Sequence, residues 1–182
     1  MKFMIRVLNK RGQFYLIAAI VLATVMVGLT TIINYSKTEP NFQIYDLKEE
    51  IQLESRNVFD YGLNEGYTSE VQFNALLIDF TQDYVDYYRD KDLYFVFGDK
   101  NNITISGSQK TSKIVSISDG SFSKTITNEA EEFTGSIDPE ETAEKITLNI
   151  DDLQYNFPLN EGRNFYFVIF QETDGGEYII SG

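Results

Sequence analysis

Apolar and polar positions follow three spacings in turn along this chain. Residues 14–33 form an uncharged apolar run. At ~1.5 Å per residue, such a run matches the roughly 30 Å hydrocarbon core of a bilayer. Ser36 and Glu39 then fit a capping box, and Pro40 breaks any continuous helix. From about 41 to 61 the period is helical: Ile44, Leu47, Ile51, Ser55, Val58 and Gly62 share one stripe, and Asp46, Glu49, Arg56 and Asp60 lie opposite. Ser55 and Gly62 are small enough for a partner helix to approach, and Gly62, Asn64 and Gly66 end the element. A second helix is expected from Thr68 or Ser69 to about Arg89, opened by a Ser69–Gln72 cap. Phe73, Leu76, Leu77, Phe80, Tyr84, Tyr87 and Tyr88 cover a broad arc of it that reads as core. Val71, Ile78 and Val85 form a narrower arc. A helix apolar on two sides is expected to pack on two sides, here against the first helix and a sheet.

Beyond Asp92 the period drops to two or to short continuous runs. Residues 93–97 are apolar throughout, and 99–102 turn into Ile103 and Ile105. Asp119-Gly120 between 113–118 and 121–127 is the strongest hairpin signal in the chain. Residues 128–144 are acidic and contain Pro139, and they read as an exposed loop. Ile146, Leu148 and Ile150 alternate, Asp151-Asp152 turns, and Tyr155, Phe157 and Leu159 alternate back, with Pro158 marking an edge. Residues 165–170 read as a strand buried on both faces, and 174–176 turn it into a last strand over 178–181. The expected fold is α+β: an N-terminal transmembrane helix, two amphipathic helices, then an antiparallel β-rich domain of roughly eight strands.

Charge divides the chain more sharply than hydropathy does. The net charge is −13, yet the first twelve residues hold Lys2, Arg6, Lys10 and Arg11 and no acid. The remaining residues carry 11 basic against 28 acidic groups. The basic flank is expected to stay cytoplasmic while the acidic part is delivered outside, as a single-pass protein of the cell membrane. So acidic a surface repels nucleic acid and anionic lipid. The chain has no Cys and no His, which removes disulfides, the usual zinc and copper ligands, and Cys or Ser–His nucleophiles.

Three fates remain open for the first 35 residues: a cleaved secretory signal, an uncleaved signal anchor, or cleavage ahead of the helix. The apolar run exceeds the usual secretory length, and no small-residue cleavage site follows it. The junction Lys10-Arg11-Gly12-Gln13-Phe14 resembles the class III signal peptides of archaeal type IV pilin-like proteins. The resemblance implies cutting between Gly12 and Gln13, with residues 1–12 as a leader, 13–35 retained in the membrane and 36–182 outside. Many such proteins carry Glu at the fifth mature position and Ser at the third, where this chain has Ile17 and Tyr15. The layout of DLKEEIQLESRNVFDYG and NFYFVIFQ also looks like archaeal membrane-anchored proteins with that leader, which implies a location and no activity. Ala19/Ala23 and Thr24/Gly28 would let such helices pack together, as a homo-oligomer or filament.

Candidate chemistry is sparse. Asp79, Asp83, Asp86 and Asp90 follow one another at spacings of four, three and four on the second helix. Such like-charge pairs destabilise a helix, so a cation such as calcium would compensate, although a solvated acidic face is the plainer reading. There is no EF-hand loop, no phosphate-binding Gly-rich loop with Lys and no G-x-S-x-G. No pair of acids stands out for glycosidase chemistry. Asn34 and Asn102 are sequons; Asn34 lies close to the bilayer, and Asn102 sits in an expected turn. The reading is a non-enzymatic, membrane-anchored, pilin-like or surface structural protein that uses no cofactor. The alternative is a stand-alone single-pass protein whose exposed domain binds a cell-envelope component or partner subunit.

Overall fold

The computed structural model describes residues 19–25, 40–173 and 176–182. The chain divides into two compact units, 1–40 and 41–182. In the first, residues 19–25 are helical, and the Thr24 hydroxyl donates to the Ile20 and Val21 carbonyls at 2.8 and 2.9 Å. The rest of the expected membrane segment, the Gly12–Gln13 junction and Asn34 lie outside the described residues. Among the described residues no helix is long and apolar enough to cross a membrane.

The second unit is α+β and β-rich, with every strand pairing antiparallel. Helix α1 (Pro40–Asn64) buries Ile44, Leu47, Ile51, Ser55 and Gly62 of the stripe its period specifies, while Val58 of that stripe is only half-buried. Helix α2 (Glu70–Tyr87) starts at a capping box: the Gln72 amide donates to Ser69 Oγ at 3.3 Å, and the Ser69 amide donates to Gln72 Oε1 at 3.4 Å. Among the described residues nine strands come after it: β1 (Asp92–Gly98), β2 (Ile103–Ser108), β3 (Val115–Ser118), β4 (Ser123–Thr127), β5 (Glu132–Ile137), β6 (Lys145–Ile150), β7 (Leu153–Pro158), β8 (Asn164–Thr173) and β9 (Gly176–Ser181). They form a five-stranded sheet, β5-β2-β1-β8-β9, and a four-stranded sheet, β4-β3-β6-β7. Pro158 closes β7 at an edge, where a missing N–H costs no ladder bond.

Alternation along β1 and β8 explains why both read as unbroken apolar runs. Tyr94, Val96, Val168 and Phe170 face the four-stranded sheet and pack with Ile117, Leu148 and Phe157. Leu93, Phe95, Phe97, Phe167 and Ile169 face the helices. They pack with Ile44, Leu47 and Ile51 of α1 and with Leu77 and Phe80 of α2. The unit is therefore three layers, helices on sheet on sheet, with a core on each side of the five-stranded sheet.

The structure corrects the sequence reading in three places. The acidic stretch 128–144 is not all loop, because it contains β5, which makes nine strands rather than roughly eight. Helix α2 does meet both α1 and the sheet, but on adjacent faces, with Phe73, Leu77, Phe80, Thr81, Tyr84 and Val85 buried. Val71, assigned to a packed arc, is 79% exposed, and only Val85 of that arc is fully buried. The aromatic arc also ends early, since Tyr87 is 80% exposed. Gly62 does serve as the close-approach point: a Cβ there would lie 2.6 Å from the Phe73 ring.

Candidate functional site

Where α1 and α2 run past each other, their side chains line a hollow of about 240 Å³. Glu50 and Glu54 come from α1, one turn apart, and Asp83, Tyr84, Tyr87 and Tyr88 come from α2 and its C-cap. Tyr84 is buried by the sheet beneath it, and its hydroxyl donates to Glu54 Oε2 at 2.8 Å and lies 3.4 Å from Glu50 Oε1. The Tyr88 hydroxyl donates to Glu50 Oε2 at 3.2 Å. The Tyr84 and Tyr88 rings stack at 6.0 Å and 13°, and Tyr87 meets Tyr88 edge-on at 4.9 Å. The ammonium of Lys91 lies 5.3 Å from the Tyr88 ring centre.

Electrostatics here follow from burial and from the carboxylates. Burial first, then the charge of Glu50, push the Tyr88 phenol up to about 12. Burial and the hydrogen bond to Glu54 raise the Tyr84 phenol well above its ordinary value. Both phenols therefore stay protonated and hold the glutamates in place as donors. Among the described residues, no Lys or Arg forms an ion pair with Glu50, Glu54 or Asp83. The cleft is a negative, aromatic-walled hollow.

A larger hollow, about 530 Å³, lies on the four-stranded sheet against the 119–122 turn and residues 140–145. Its one buried carboxylate, Asp119, is already engaged. Asp119 Oδ1 accepts from the Ser121 and Phe122 amides at 2.9 and 2.7 Å, and Oδ2 accepts from the Glu140 amide at 2.9 Å. Burial pushes its carboxyl up, but these backbone donors outweigh that and hold it below the usual value. Asp119 therefore fastens a hairpin to the neighbouring loop.

The four aspartates expected on one helix do not converge on one point: Asp79, Asp83 and Asp86 are on α2, but the helix ends at Tyr87 rather than near Arg89, and Asp90 lies in the turn beyond it. Asp79, Asp83, Asp86 and Asp90 are all exposed; Asp86 pairs with Arg89 and Asp90 with Lys91, each at 2.8 Å. Among the described residues, no group of three or more acids is placed to hold a metal ion. Asn102 sits in the β1–β2 turn, but its side chain is engaged, donating to Asp138 Oδ1 at 2.9 Å. The cleft residues Glu50, Glu54, Tyr84, Tyr87 and Tyr88 do not stand out in the sequence as a site. The available signal is the Tyr84, Tyr87, Tyr88 run, where the helix switches from Phe and Leu to aromatics that carry a polar end.

No protein-family model, curated protein or solved structure matches this chain.

Proposed function

We propose that this is a non-enzymatic, membrane-anchored protein of pilin-like type, with its acidic domain outside the cell. The observation that carries the reading is the order of charge and hydropathy: four basic residues, an uncharged run over 14–33, then every acidic residue of the chain. The Arg11-Gly12-Gln13 junction directly before that run supports leader removal. Within the outer domain, α1 is fastened to the sheet by Ile44, Leu47 and Ile51, so a load arriving at the start of α1 enters the core rather than a loop.

The intact mass of the protein from its native membrane tests the reading. A mature form beginning at Gln13 is expected, and Gly12→Val, which fills the space a leader peptidase needs, should keep residues 1–12. Met1 retained in the wild-type protein would refute pilin-like processing. The second reading, a stand-alone anchored domain that binds a partner, is favoured by the cleft between α1 and α2. Cross-linking separates the two: a ladder of homo-oligomers supports the first, and a monomer supports the second.

A further inference from the structure

We propose that the cleft between α1 and α2 binds an alkylammonium group, carried either by a free small amine or by a lysine side chain. Its walls bring together the two features such a cation selects, tyrosine rings and negative charge. Tyr84, Tyr87 and Tyr88 form a ladder of rings, stacked at 6.0 Å and edge-on at 4.9 Å. Glu50 and Glu54 are oriented by tyrosine hydroxyls rather than neutralised by Lys or Arg among the described residues, and Asp83 adds a third charge at the rim.

The same features exclude other occupants. Three carboxylates repel an anion and penalise a purely apolar ligand. A divalent metal needs several carboxylate oxygens converging on one point, and the described residues hold no such group. The hollow, about 240 Å³, is smaller than the usual drug-sized pocket, so it suits a group of a few heavy atoms. The chain also shows the chemistry on itself, since the Lys91 ammonium already lies 5.3 Å from the Tyr88 ring. Tyr87 is 80% exposed, so core packing does not account for its position. The site belongs to the outer domain alone and stands whether or not the leader is cleaved.

The test uses the full chain in neutral detergent with ¹³C-labelled tyrosine rings. Tetramethylammonium chloride and Nα-acetyl-lysine N-methylamide are titrated separately at constant ionic strength, with sodium chloride as the reference. Saturable shifts confined to the Tyr84, Tyr87 and Tyr88 rings are expected. Saturation by both probes identifies a small-amine site, and saturation by the lysine amide alone identifies a lysine-bearing partner. Tyr87→Ala should weaken binding by about 5–10-fold. Asp83→Asn should weaken it by roughly 2–5-fold, and neither exposed side chain is needed for folding. Shifts no different from those with sodium, or unchanged affinity in both variants, would overturn the proposal. Calcium saturating the same rings at lower concentration than either ammonium would also overturn it, in favour of an inorganic cation site.

Discussion

Three truncations on one helix separate the observed packing of α2 from the packing its period suggests. Val71 and Val85 lie on the same narrow apolar arc, so periodicity alone assigns them equal cost. In the structure Val71 is 79% exposed and Val85 is 2% exposed, while Phe80 is 9% exposed between Tyr84 and Phe165, with ring centres 5.1 and 5.8 Å away. Phe→Ala in a core costs ~3–5 kcal/mol. The residual exposure of Phe80 places it in the lower half, about 3–4 kcal/mol. Val85→Ala removes two buried methyl groups at ~0.8 kcal/mol each and leaves a small cavity, about 2 kcal/mol in all. Val71→Ala should stay within about 0.5 kcal/mol of wild type. Residues 36–182 expressed alone are expected to unfold as one unit, so urea titration followed by far-ultraviolet circular dichroism measures all three, provided the slope is unchanged. A cost below about 1 kcal/mol for Phe80→Ala, or equal costs for the two valines, would refute the placement of α2.

Gly107→Ala should cost at least about 3 kcal/mol in the same titration, because the new Cβ would fall on the Leu93 carbonyl across the β1–β2 ladder. Asp119→Ala should cost about 2 kcal/mol at neutral pH through the loss of three backbone partners. Because the folded carboxyl is held below its ordinary 3.8, that advantage is present above this pH and should vanish as pH falls through the lower folded value. In alkali the sign reverses. The Tyr88 phenol is raised from 10.0 to about 12, so its contribution is full below pH 10 and lost as pH rises towards 12. Phenolate absorbance should show a late-ionising tyrosine in wild type that titrates earlier in Glu50→Gln.

Local chemistry makes much of this protein legible in its sequence. The stripe from Ile44 to Gly62 needs only the 3.6-residue period, the Ser69–Gln72 cap needs only its two side chains, and Asp119-Gly120 carries its own turn preference. What escaped was set by partners distant along the chain or across sheets. In β5, Phe133, Gly135 and Ile137 alternate, but the glycine interrupts the apolar pattern; a Cβ at Gly135 would lie 2.8 Å from Ile126 of β4. Val71 carries the same side chain as Val85, and only the reach of the sheet beneath α2 separates them. The cleft depends on Glu50 and Glu54 meeting tyrosines at least 30 residues further on. No periodicity encodes that meeting, because helix packing, not helix formation, brings those side chains within hydrogen-bonding distance.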